Sequence, residues 1–215
     1  MAFLQNKKNL LLTVFTILIA IINLLLIIYV APLNDLEGWG RKIFYYHVPL
    51  AWNASLAFVA CTYYSLMFLK TKNNNLDIKA MSWAESGTIY ALLVIVTGPI
   101  WAKLAWGVSW RWEPRLTTTT VVILIYIAYF MVREFALNKE KGARLAAVIS
   151  ILAFTTLPII YYSVDFWSPE MQLHPQRNNL DYGTKSIFYF SLFSFTLLLL
   201  NAVKYRVFLD NKGDK

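Results

Sequence analysis

Apolar residues along this chain fall into six continuous runs and do not alternate with polar residues at a period of two. Each run is at least 17 residues long and carries no Asp, Glu, Lys or Arg, which reaches the ~17–25 residues that a helix needs to cross a bilayer. The pattern predicts an all-α, polytopic membrane protein and excludes a soluble enzyme, a disordered chain and a β-barrel, whose strands alternate at period two. The runs are residues 9–34, 43–69, 86–102, 116–132, 145–164 and 186–203.

The breaks between these runs predict six transmembrane helices joined by short loops, all in one domain over residues 1–215. We expect Pro49 in the first turn of the second helix, where a missing N–H costs little, and a kink at Pro158 in the fifth. The first run is too long for the apolar part of a signal peptide and is interpreted as a retained anchor. The helices are expected at about 10–31, 45–69, 81–101, 114–134, 145–164 and 185–204, with loops 32–42, 102–113 and 165–184 on the outer side.

Composition and charge agree with a membrane protein. Hydrophobic residues make up 58% of the chain and charged residues only 15%, against ~25% in soluble domains. The net charge is +8, but no basic block suits a nucleic-acid surface. With both termini inside, 13 Lys and Arg residues fall in inner segments and 7 in outer ones, so the positive-inside rule favours an N-in, C-in orientation in the lipid bilayer.

Tryptophan is concentrated at the predicted outer end. An aromatic belt alone would populate both membrane interfaces, whereas only Trp83 lies near the other side. Six of the eight tryptophans lie at the outer end: Trp39, Trp101, Trp106, Trp110, Trp112 and Trp167.

The densest part of this cluster is WAKLAWGVSWRWEPRL, residues 101–116. Trp106, Trp110 and Trp112 would make a rigid apolar platform, with Gly107 allowing a tight turn. Flanking Arg111 and Arg115 suit carboxylates, which guanidinium groups bind in bidentate fashion. A planar ligand with acidic arms, such as a porphyrin with two propionates, fits this combination.

The chain has two histidines, His47 and His174, and the topology puts both on the outer side. Neutral imidazole is a good iron ligand, and two imidazoles can occupy both axial sites of one heme. Two histidines alone could equally bind zinc or copper, but no cysteine or acidic companion stands near them at metal-ligand spacing. Because Cys61 is the only cysteine, a C-x-x-C-H attachment is excluded, and the expected cofactor is non-covalent heme b.

Other side chains have more than one interpretation. Glu113 is either an acid at the start of a helix, facing the positive end of its dipole, or a partner of Arg111 or Arg115. Glu85 lies about one turn from the inner edge of helix three, which favours a polar contact within the bundle or snorkelling. Five residues could line the same outer pocket or simply form a belt: Tyr46, Trp52, Tyr162, Asp165 and Trp167.

Residues 106–117, WGVSWRWEPRLT, closely resemble the WWD signature of heme-handling proteins in cytochrome c maturation, which reads roughly W-G-x-x-W-x-W-D-x-R-L-T. FYYHVPLAW around His47, LPIIYYSVDFW (157–167) and MQLHPQ around His174 are similar to the six-helix CcmC type. The resemblance covers about residues 40 to 205. Two departures are Glu113, where the signature has Asp, and Pro114 after it.

The resemblance implies a role in heme delivery rather than catalysis. Proteins of this family bind heme at the outer face of the bacterial inner membrane and help load it onto a periplasmic heme chaperone. Their partners include an ATP-driven exporter complex with a small membrane subunit. By position, His47 and His174 would be the axial ligands.

The same resemblance implies roles for the residues of the Trp-rich loop. Trp106, Trp110 and Trp112 would form the platform, and Arg115 with Arg111 would face the propionates. We expect His174, on the longer loop, to be the more labile ligand.

Three alternatives remain open. A b-type electron-carrying cytochrome also uses paired histidines, although typically within helices at mid-membrane depth. A small-solute transporter would make Glu85 and Pro158 central. A heme-free structural subunit would use the Trp-rich outer loop 102–113, here called the Trp loop, for docking. The heme content of the purified protein distinguishes these cases.

Overall fold

The computed structural model describes residues 2–33, 38–166 and 182–213, and the side chains of residues 3–33, 38–163 and 183–211. Within these ranges the chain forms eight α-helices, with a π-helical turn, Leu26–Val30, continuing the second and a 3-10 turn, Gly38–Gly40, leading into the third. The helices are α1 (Ala2–Gln5), α2 (Lys7–Leu25), α3 (Arg41–Thr71), α4 (Asn74–Trp106), α5 (Pro114–Phe135), α6 (Lys139–Phe154), α7 (Thr156–Phe166) and α8 (Tyr182–Gly213).

Six helical segments of the described chain are long and apolar enough to cross a membrane, which confirms the all-α, six-helix prediction. Their outward faces carry large apolar side chains, such as Leu11, Leu124 and Leu152, as expected where lipid is the solvent. The segments are Lys7–Val30, Gly38–Thr71, Asn74–Trp106, Pro114–Phe135, Lys139–Ser163 and Gly183–Asn211.

Most helices extend beyond the apolar runs. Helix α3 begins at Arg41, four residues before the predicted start, so the prediction that Pro49 lies in the first turn is wrong and this proline is inside the helix. Helix α4 begins at Asn74, where Asn73 caps it by accepting a hydrogen bond from the Asn75 N–H at 3.0 Å. Polar residues at a membrane boundary can stay helical because the helix satisfies their backbone groups. The turn between α3 and α4 is therefore only residues 72–73, and the outer loop 102–113 shortens to 107–113.

The fifth span is interrupted where a kink was predicted. Helix α6 ends at Phe154 and α7 begins at Thr156. Pro158 has no N–H to donate to the carbonyl of Phe154, which weakens the helix at this point. The interruption at Thr155 therefore lies three residues before Pro158, where the kink was predicted.

Helices α3 and α4 form an antiparallel hairpin at the centre of the packing. Phe58 of α3 stacks on Tyr126 of α5 with ring centroids 4.0 Å apart, and Cys61 is fully buried beside them. Helix α8 joins the hairpin through the Tyr90 hydroxyl, which donates to the Phe195 carbonyl at 2.9 Å.

Charged side chains join the helices at one end of the bundle. Arg133 of α5 donates two hydrogen bonds of 2.7 Å to the Asp77 carboxylate of α4. Arg206 of α8 pairs with Glu85 of α4 and lies 3.1 Å from Asp210. The expected polar contact of Glu85 within the bundle is confirmed. We call this region, defined by these five residues, the ion-pair end, and the opposite region around His47 the histidine end.

Candidate functional site

His47 lies in the second turn of α3, and its ring packs against one turn of α4. Its side chain is 6% exposed. Nδ1 lies 2.9 Å from the Thr97 hydroxyl, and the ring meets Trp101 edge to face with centroids 5.6 Å apart. The sequence predicted this histidine near the outer end of the second helix, and the structure places it in the second turn of α3, which begins at Arg41.

A small pocket, with room for about one water molecule and partly open to solvent, lies beside this ring. It brings together α3, α4, the loop 107–113 and the start of α5. Its wall combines an imidazole, two indoles, a guanidinium and a carboxylate, groups that suit the apolar and acidic parts of a ligand. The lining residues are His47, Gly98, Trp101, Ala102, Trp106, Arg111, Glu113 and Leu116.

Gly107 turns the chain out of α4 into the loop. Its φ of +75° is left-handed, a conformation that glycine adopts without steric cost. Its N–H donates to the Lys103 carbonyl at 3.1 Å, and the Lys103 ammonium donates to the Gly107 carbonyl at 3.0 Å. This cap ends α4 at Trp106, whose indole lines the pocket.

The loop tryptophans form two pairs in different orientations. Trp106 pairs with Trp101, with centroids 5.6 Å apart and planes 38° apart. Trp110 pairs with Trp112, with centroids 5.3 Å apart and planes 83° apart. The second pair therefore makes a corner rather than one flat surface, and Trp112 is 68% exposed.

Charged residues of the loop differ in burial. Glu113 is 1% exposed, occupies the N-cap position of α5 and lines the pocket. A carboxylate at this helix end is favoured by the dipole. Arg111 is exposed and lines the same pocket. Arg115 donates from Nη2 to the Tyr161 carbonyl at 3.4 Å, which connects α5 to α7.

The remaining predicted residues lie elsewhere or cannot be placed. Tyr46 contacts Phe195 edge to face at 6.2 Å, and Trp52 and Tyr162 are 54% and 47% exposed. None of these three lines the pocket beside His47.

Two predicted site residues, His174 and Trp167, lie outside the described residues. So does most of the predicted outer loop 165–184, and Asp165 is described only as part of the α7 backbone. Among the side chains that are described, no group of three His, Cys, Asp or Glu residues could hold a metal ion.

Sequence reasoning missed the part of α4 that holds His47. Thr97 and Gly98 contact the imidazole, and Trp101 was noted only as one of the outer tryptophans. The turn at 72–73 gave a usable signal, since His47 and Gly98 each lie 25 residues from it. In an antiparallel helical hairpin, residues equally distant from a short turn face each other.

Comparison with known proteins agrees with the sequence resemblance. Residues 1–209 match a family described as heme exporter protein C, CcmC. A cytochrome c biosynthesis ccmC-like mitochondrial protein of Marchantia polymorpha is 32% identical over 73% of this chain. Heme exporter protein C of Bradyrhizobium diazoefficiens is 30% identical over 73% of it, and that of Escherichia coli strain K12 is 30% identical over 78%. The aligned part spans 65%, 59% and 69% of the length of these three relatives, respectively.

Proposed function

Because this chain belongs to the heme exporter protein C family, we propose that it handles heme in cytochrome c maturation. It binds heme non-covalently at the histidine end and delivers it to a periplasmic heme chaperone. Heme is the cargo of this protein, and its role is delivery rather than catalysis.

One observation carries the proposal: His47 is buried at the wall of a pocket that two indoles, an arginine and the carboxylate of Glu113 also line. Imidazole is an axial ligand for heme iron. Trp101 and Trp106 offer apolar surface for a macrocycle, and Arg111 offers a guanidinium for a propionate. The donor set beside His47 therefore fits heme.

The second axial ligand is His174, in the segment before α8. Trp110 and Trp112 extend the apolar surface beyond the pocket, and Arg115 assists with a propionate. With the N- and C-termini inside, as the charge bias favours, the histidine end faces the periplasm from the bacterial inner membrane. The ATP-driven exporter complex with its small membrane subunit is the expected membrane partner.

Visible absorption spectra of the detergent-purified protein, oxidised and dithionite-reduced, test this proposal. We expect low-spin bands that His47→Ala and His174→Ala each weaken or shift, because each substitution removes one axial ligand. Tyr63→Ala is the control, since Tyr63 is on α3 but 57% exposed and far from the pocket. A wild-type protein that takes up no added heme would overturn the proposal and favour a docking role for the Trp loop.

The same variants test the order of ligand release. We expect His174 to be released first on transfer because it lies on the longer connection. Heme retention and transfer to a soluble acceptor are measured for each variant separately. A greater loss of transfer in His47→Ala alone would contradict this order.

A further inference from the structure

The Thr97 hydroxyl makes contacts that define the proton on His47. Its oxygen lies 2.8 Å from the Leu93 carbonyl oxygen and 3.4 Å from that of Val94. On its other side, it lies 2.9 Å from His47 Nδ1. Both short contacts have hydrogen-bond lengths, and each needs one proton between its heavy atoms.

A threonine hydroxyl supplies only one proton. Two oxygens 2.8 Å apart with no proton between them would repel, so the hydroxyl proton belongs to the bond with Leu93. The proton of the second bond must then come from Nδ1 of His47. For a neutral imidazole, this assignment gives the Nδ1–H tautomer, in which Nε2 carries the lone pair.

The same turn of α4 also fixes the plane of the ring. A Cβ on Gly98 would come within 3.1 Å of His47 Cε1, so the imidazole lies directly against the helix backbone. Trp101 meets the ring at an interplanar angle of 60°. Thr97, Gly98 and Trp101 therefore lie within about one turn of α4, and all three contact the imidazole of His47.

We propose that Thr97 is the positioning residue of His47, holding its imidazole as the Nδ1–H tautomer so that Nε2 is the nitrogen that binds iron. Ligand histidines commonly donate their second N–H to a neighbouring acceptor, which fixes the tautomer and the ring orientation. The role toward iron rests on the proposed function, whereas the tautomer is a property of the heme-free protein.

The test is nitrogen NMR of ¹⁵N-histidine-labelled, heme-free protein without a histidine tag, in alkaline buffer where imidazole is neutral. The His174→Ala background leaves His47 as the only labelled side chain. We expect a pyrrole-type Nδ1 and a pyridine-type Nε2 in this background. Adding Thr97→Val should shift the population toward Nε2–H, and adding Thr97→Ser should keep the Nδ1–H form.

Thr88→Val is the matched control, because Thr88 makes the same bond to the carbonyl four residues back, at 2.8 Å, on the same helix. It should leave the tautomer unchanged. An Nε2–H tautomer with Thr97 intact would overturn the inference, and this result does not require Thr97→Val to fold. An Nδ1–H tautomer that Thr97→Val leaves unaltered would overturn the role of Thr97.

Heme titration of the same Thr97 and Thr88 substitutions with His174 restored completes the test. Thr97→Val should weaken heme binding about tenfold or more, with Thr97→Ser and Thr88→Val near wild type. Wild-type affinity in Thr97→Val would overturn the role toward iron. A Thr97-dependent Nδ1–H tautomer in a protein that binds no heme would overturn the proposed function while leaving the positioning of His47 intact.

Discussion

At the ion-pair end, carboxylates and guanidinium groups meet directly across helices, as Asp77 meets Arg133 and Glu85 meets Arg206. At the histidine end, Glu113 and Arg111 both line a pocket, among indole rings and beside an imidazole. The charges of the first region connect neighbouring helices, whereas those of the second surround a cavity. Burial of charge alone therefore does not distinguish the two regions, whereas convergence of charged groups on a cavity does.

The largest expected loss of stability is at the ion-pair end. Asp77→Asn removes the negative charge and one of the two acceptor oxygens from an ion pair whose side chains are only 15–16% exposed. We expect it to lower the free energy of unfolding by about 3 kcal/mol, since it leaves a poorly hydrated guanidinium without its counter-charge. SDS titration of the protein from mild detergent measures this loss, and the heme spectrum of the folded fraction should not change.

Glu140→Gln is the matched control for Asp77→Asn. It breaks the Glu140–Arg144 pair, whose side chains are 60% and 46% exposed, and should cost no more than about 0.5 kcal/mol. Equal losses for the two variants would contradict the structural importance given to the Asp77–Arg133 pair.

A smaller effect is expected from Gly98→Ala, and it concerns heme binding rather than stability. The added methyl group would press on His47 Cε1 and displace the imidazole by a few tenths of an ångström. Heme affinity should fall about tenfold, as for other losses of ligand positioning, with a change in the low-spin bands. Heme titration followed by absorption measures both.

Gly87→Ala tests whether this effect is specific to the site. A Cβ at Gly87 would come within 2.9 Å of the Ala57 Cβ, in the same hairpin but away from the pocket. It should reduce stability and leave the heme spectrum intact. A similar spectral change in both variants would mean that any disturbance of the hairpin reaches the site.

The smallest effect is expected at the exposed edge of the Trp loop. Trp112→Ala removes a ring that is 68% exposed and stands perpendicular to Trp110. We expect heme affinity to fall about fivefold, the size of one aromatic contact, with stability changed by less than about 0.5 kcal/mol.

Trp39→Ala is the control for Trp112→Ala. This indole is 70% exposed, lies before α3 and contacts the Lys42 ammonium at 4.3 Å from its ring centre. Its loss should leave heme affinity unchanged. If both substitutions reduce affinity equally, the tryptophans act as a general membrane belt and not as a heme surface.

The fold was predictable from the sequence because lipid imposes a simple rule: each apolar run of sufficient length becomes a helix. The ends of the helices could not be predicted in this way, because the rule does not apply to polar residues that continue a helix outside the apolar run. Residues 41–44 and 74–80 are such extensions. The wrong start of α3 also led to the wrong position of Pro49.

The candidate site was predictable where chemistry is unusual for a membrane helix, as at His47 and Trp106. Thr97 and Gly98 look like ordinary residues of an apolar helix, and only their contact with His47 distinguishes them. The pairing of Asp77 with Arg133 likewise depends on how α4 packs against α5. Contacts between helices need the relative register of the helices, which composition and periodicity do not contain.

The hairpin also affects how this protein can change in evolution. Each residue inserted within a helix between His47 and Gly98 would rotate these two residues relative to each other by about 100°. The imidazole would then lose its contacts with α4. Insertions after Gly107 would leave the contacts of His47 with Thr97, Gly98 and Trp101 in place, since these residues precede it in α4. A change in the length of the loop 108–112 would instead move Trp110, Arg111 and Trp112 relative to the imidazole.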